Sequence, residues 1–143
     1  FMRLCLEGRT VELACEEFSS ESMVALRANL QLQRLAISEK NASRFFALDE
    51  EFHRIIFATC GKERIWEAIR KMGSHFNRVR VLSLRATDWE KVFSQHERIA
   101  SSIFEKKTGE ARDAMNEHLT KVNYDLGRLR QEYPSYFKTE KGR

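Results

Sequence analysis

Apolar residues recur three and four places apart along almost the whole of this chain, and very little interrupts them. One proline, Pro134, and six glycines are the only strong breakers in 143 residues. Proline and glycine end helices and build turns, so a chain this poor in both favours a few long helices over many short strands. The spacing predicts a first helix over residues 3–18, with Leu4, Val11, Ala14 and Phe18 on one face. Ser19 or Ser20 can cap a second helix, which carries Met23, Leu26, Leu30 and Ile37. Asn41 can cap a third, with Phe45, Phe46, Phe52 and Ile56 inward and a stop at Gly61. A fourth starts near Glu63 with the stripe Ile65, Trp66, Ile69, Met72, Phe76 and Val79. After a break near residues 85–87, Thr87-Asp88-Trp89-Glu90 reads as a capping box for a fifth helix bearing Val92, Ile99 and Ile103. Lys106-Lys107-Thr108-Gly109 makes a short turn, and a sixth helix runs from Glu110 to about Tyr133. Short connections make consecutive helices pack antiparallel, so the expected fold is an all-α antiparallel bundle of about six to seven helices.

Composition narrows the class. The length suits one domain with its own core, and 42% apolar against 32% charged residues is an ordinary soluble balance. No apolar run approaches the roughly 18–20 residues of a membrane span, and no signal peptide is visible at the start. Cys5, Cys15 and Cys60 have no metal-type spacing and read as buried, reduced thiols of a cytoplasmic protein. The net charge of +4 permits weak attraction to nucleic acid, but the basic residues are interleaved with acids. Lys138, Lys141 and Arg143 fall in a polar tail, residues 134–143, after a helical domain over residues 1–133.

Four polar residues fall where apolar ones belong. Asp49 and His53 are four apart and share the apolar face of the third helix. His96 lies in the Val92–Ile99–Ile103 stripe, and His118 follows Ala111 and Met115 on the inward stripe of the sixth helix. A buried carboxylate and buried imidazoles are costly without partners. A divalent cation would satisfy all four at once, keeping the carboxylate ionised and the rings neutral. An Asp–His hydrogen bond explains the first pair without metal, and periodicity alone leaves both readings open. His75 lies off the clearest inward stripe. Three imidazoles and one carboxylate suit zinc, nickel, manganese, iron or cobalt better than calcium or magnesium.

Several motifs then form an ordered set. Leu48-Asp49-Glu50-Glu51-Phe52-His53-Arg54-Ile55-Ile56 resembles the D-x-x-F-H signature of the FCD domain, the C-terminal effector-binding domain of FadR-subfamily, GntR-type bacterial transcription regulators. Arg3-Leu4-Cys5-Leu6-Glu7-Gly8 resembles its opening R-x-x-L-E, and Gly61-Lys62-Glu63 its G-N-P turn with two residues replaced. Arg78-Val79-Arg80-Val81-Leu82-Ser83 resembles R-L-R-x-L-S, and Ser94-Gln95-His96-Glu97-Arg98-Ile99 resembles E-H-x-x-I. Ala111-Arg112-Asp113-Ala114-Met115-Asn116-Glu117-His118-Leu119 resembles A-x-x-A-M-x-x-H-L.

The resemblance implies that Asp49, His53, His96 and His118 bind a divalent metal, zinc or nickel first. It implies a small organic acid as effector, held by Arg80 and Arg3 with Arg78 and Asn77 in reserve. It also implies a homodimer. The winged helix-turn-helix through which such proteins bind DNA is not in this sequence, so the chain reads as a fragment. The expected function is effector sensing without catalysis. The alternatives are a metal-dependent enzyme, either a hydrolase or a non-haem iron oxygenase, and a structural bundle whose polar core closes on itself.

Overall fold

A computed structural model describes residues 1–72 and 88–132. Among the described residues there are six helices and no strand: α1 (Met2–Glu17), α2 (Ser20–Ser38), α3 (Ala42–Thr59), α4 (Glu63–Met72), α5 (Trp89–Phe104) and α6 (Thr108–Glu132).

Local chemistry sets the boundaries. Ser19 accepts from the Ser22 amide, Asn41 from Arg44 and Asp88 from Lys91, satisfying amides that have no partner within their own helix. The α5 cap is therefore Asp88, one residue later than the capping-box reading of Thr87. α3 closes with Gly61 N donating to Ala58 O and Lys62 N to Phe57 O, with Gly61 at φ +62°. The same paired closure ends α2 and α5, but there lysines take the left-handed position: Lys40 at φ 52° and Lys106 at φ 56°.

α2 and α3 run antiparallel: Asn29 reaches Leu48, and Ala36 packs with Phe45. α5 and α6 do the same, with Gln95 against His118 and Arg98 paired to Glu117. α1 departs from the simple antiparallel expectation, because its principal neighbours are α6 and α3, with α5 behind them. Gly8 permits this close approach, since a Cβ there would come 3.1 Å from Asn116 Oδ1 on α6.

The main core joins Val11 and Ala14 of α1, Leu26 of α2, Phe52 and Ile56 of α3, Ile99 and Ile103 of α5, and Met115 and Leu119 of α6. Each large apolar side chain contributes about 1.5–3 kcal/mol by leaving water. α4 adds Trp66 and Ile69 against Phe57.

Three inward faces differ from the sequence reading. The buried line of α2 is Leu26, Asn29, Gln33 and Ala36, while Met23, Leu30 and Ile37 are only half-buried. Its centre is polar, so an apolar pattern misses it. Phe46 is half-buried, and Met72 is exposed. Cys15 and Cys60 are buried as expected, but Cys5 is exposed. Phe76, Val79 and the residue 134–143 tail lie outside the described residues.

Candidate metal centre

The four polar residues that the sequence puts on apolar stripes converge. Asp49, His53, His96 and His118 are all buried, and each offers one ligand atom within 4.8 Å of the others. α3 supplies Asp49 and His53 from adjacent turns of one face. α5 and α6 supply one histidine each from facing positions in their antiparallel pair. His53 Nε2 and His118 Nε2 are 3.3 Å apart, and His96 Nε2 lies 3.4 Å from Asp49 Oδ1.

What stands behind each ring decides what the front can do. His53 Nδ1 lies 2.6 Å from Glu7 Oε2, His96 Nδ1 lies 2.8 Å from Gln33 Oε1, and His118 Nδ1 lies 3.0 Å from Gln95 Oε1. An oxygen acceptor at Nδ1 holds the ring proton there and leaves Nε2 as a lone pair. In neutral rings all three Nε2 atoms then carry lone pairs on the side of the centre, a donor set that with Asp49 could hold a metal ion. Backing a ligand histidine with an acceptor is what metal sites require to fix ring orientation and basicity. The ring faces are held too: Phe52 stacks on His96 at 4.2 Å between centroids and Trp66 on His53 at 5.8 Å.

Electrostatics supports a neutral ring at His118. Burial, followed by the His96 and His53 rings and the Arg3 guanidinium, pushes His118 well below the ordinary histidine value of 6.5, so it stays neutral. Burial would push the Glu7 carboxyl up, but His53 and Arg3 together outweigh it and hold the group well below the usual carboxylate range. Glu7 is thus a fixed anion and a poor proton acceptor.

Arg3, expected at the effector, pairs through Nε with Glu7 Oε1 and so reaches the centre through that carboxylate. Its Nη2 is buried with no hydrogen-bond partner among the described residues, and so is Gln95 Nε2. Arg80, Arg78 and Asn77, the other expected effector residues, lie outside the described residues, as does His75. The acids beside the ligands behave as solvated or paired groups: Glu51 pairs with Arg54, Glu117 with Arg98 and Glu50 with Arg70, and Glu97 is exposed.

The sequence reading missed Glu7, Asn29, Gln33 and Gln95. Glu7 carried a usable signal, because it falls between Leu4 and Val11 on the inward stripe of α1. Asn29 and Gln33 carried none, because they are themselves the middle of the buried line of α2.

The FCD domain family matches residues 1–121 of the chain. This chain belongs to that family. The FCD chain is also similar to the HTH-type transcriptional repressor RspR of Escherichia coli (strain K12), at 29% identity over 142 residues, 98% of this chain and 62% of the repressor. An uncharacterized HTH-type transcriptional regulator in an unstable DNA locus of Streptomyces ambofaciens is 30% identical over 98% of this chain and 59% of its own length. The Nta operon transcriptional regulator of Aminobacter aminovorans is 27% identical over 84% of this chain and 56% of its own. The FCD chain therefore spans about three fifths of the curated relatives it matches. A buried aspartate and three histidines that could hold a metal ion sit within the matched region. No described helix is long and apolar enough to cross a membrane.

Proposed function

We propose that this FCD chain is the effector-sensing domain of a cytoplasmic, DNA-binding transcriptional regulator, not an enzyme. Asp49, His53, His96 and His118 hold a divalent metal, zinc or nickel in the first instance. A small organic acid completes its coordination. The observation that carries the reading is the set of three Nε2 atoms and one carboxylate oxygen turned on one point, each imidazole backed by an oxygen at Nδ1. The metal would supply Lewis acidity and an anchor for the acid.

The protein's own residues provide the rest. Arg3 Nη2 is a buried donor with no partner among the described residues, suited to a carboxylate oxygen. Arg80, with Arg78 and Asn77, is proposed to complete the effector site from the undescribed segment. Glu7, held ionised by Arg3 and His53, lacks the basicity for proton abstraction, which favours sensing over catalysis.

The domain follows residues 1–133, and DNA contact belongs to the helix-turn-helix part that the relatives' names declare. A homodimer would convert effector binding into a change in the spacing of two DNA-reading heads. Val24, Leu32 and Leu35, exposed on α2, offer an apolar face for the second copy.

Native mass spectrometry with elemental analysis tests the metal and the dimer together. A melting series of the metal-loaded protein with small carboxylic acids tests the effector. One metal ion per chain and an upward shift with some acids are expected. No bound metal, together with no shift on adding zinc or nickel, would overturn the proposal.

A further inference from the structure

The polar centre of α2 forms one hydrogen-bonded line with a forced direction. The Leu48 carbonyl can only accept, so the Asn29 amide nitrogen donates to it at 3.0 Å. Asn29 Oδ1 must then be an acceptor, and Gln33 Nε2 donates to it at 2.7 Å. Gln33 Oε1 is thereby turned toward His96 Nδ1, 2.8 Å away. An amide oxygen there admits only an Nδ1–H, so in the neutral ring the lone pair of His96 is on Nε2, the nitrogen 3.4 Å from Asp49 Oδ1. The line starts on the carbonyl of Leu48 and returns to the side chain of Asp49, the next residue. It joins α3, α2 and α5 in a ring. Asn29 and Gln33 are 4% and 0% exposed, so water does not compete for these bonds.

We infer that Asn29 and Gln33 are positioning residues that set the tautomer of His96, and so create the ligand lone pair before any ion arrives. This rests on the metal reading of the site, although the tautomer itself does not depend on metal. An imidazole in water prefers its proton on Nε2, the wrong nitrogen for this centre. The relay reverses that preference with neutral groups, adding no charge to the core. Gln33 thus acts on affinity through His96 and does not touch the ion.

Two measurements on the whole chain decide it. Long-range proton–nitrogen NMR of the metal-free protein reports the His96 tautomer directly. The expected result is Nδ1–H in the wild type, its loss in Gln33→Met, which keeps the shape without the acceptor, and its retention in Gln33→Glu, which as a buried neutral acid keeps a donor for Asn29 Oδ1 and an acceptor for His96. Competition of zinc against a chromophoric chelator reports affinity, where Gln33→Met should bind about 10–100-fold more weakly and Gln33→Glu should recover most of the loss.

An Nε2–H tautomer in the wild type overturns the inference. So does equal weakening by Met and Glu, which would indicate packing alone, or unchanged affinity in Gln33→Met. A wild type that binds no zinc overturns the metal reading and the affinity claim with it, while the tautomer measurement still judges the relay by itself. Should Gln33→Met fail to fold, Asn29→Leu is the second variant: it frees the Gln33 amide to turn over, and a mixed His96 tautomer is expected, with an unmixed Nδ1–H form counting against the relay.

Discussion

His53 and His96 are both fully buried and both turn Nε2 to the same point, yet they are held by opposite chemistry. Behind His53 stands a charged cluster, Glu7 with Arg3, on α1. Behind His96 stands a neutral amide relay on α2. A carboxylate backing raises the basicity of its imidazole and brings a buried charge that needs its own counter-ion. An amide backing fixes direction alone. The centre therefore has one ring tuned by charge and one tuned by geometry, and the two should fail differently.

The largest effect is expected on the charged side. Glu7→Leu leaves Arg3 and the His53 Nδ1–H without their anion in a dry core, and should cost about 3 kcal/mol or more in urea unfolding. Glu7→Gln should cost less, because an amide oxygen can still accept from His53.

Acid probes the neutrality of His118. His118 titrates below its ordinary value in the folded state, so below about pH 6.5 the unfolded chain binds a proton that the folded metal-free protein refuses. Stability should therefore fall as pH drops from 6.5, by up to about 1.4 kcal/mol per pH unit for that one proton. Glu7 works in the same direction further down: its folded value lies below 4.5, so stability is lost again as the unfolded carboxylate protonates. A melting temperature that stays flat between pH 7 and 5 would mean that His118 is not held neutral.

On the neutral side, Asn29→Leu should cost about 2 kcal/mol, because it removes two amide hydrogen bonds and leaves the Gln33 Nε2 donor unmet but no charge unpaired. A loss as large as that of Glu7→Leu would erase the distinction between the two backings. Smallest is a control outside both: Lys106→Gly relieves a left-handed residue and should raise stability by about 0.5–1 kcal/mol without moving metal affinity.

The same contrast explains what the sequence made legible. Asp49, His53, His96 and His118 stood out because each interrupts a stripe of large apolar residues. The helices were equally clear, with Ser19, Asn41 and Gly61 marking ends by familiar chemistry. The relay was hidden because it occupies the centre of its own face. With Asn29 and Gln33 at the middle of the buried line, the apolar pattern of α2 drifted to Leu30 and Ile37 beside it. The ends of α2 and α5 lacked a glycine, since Lys40 and Lys106 adopt the left-handed turn instead. Glu7 was legible in principle, but a lone glutamate on a stripe has no meaning until His53 and Arg3 are seen around it.

The ring that leaves Leu48 and returns at Asp49 also has a mechanical meaning. Sliding α3 past α2 by one residue means a 1.5 Å rise and a turn of about 100°, which would break the Asn29–Leu48 bond and carry Asp49 away from His96. The three helices cannot creep; they hold one register or abandon it. A displacement of Asp49 along α3 is therefore felt at α2 through Leu48 and at α5 through His96.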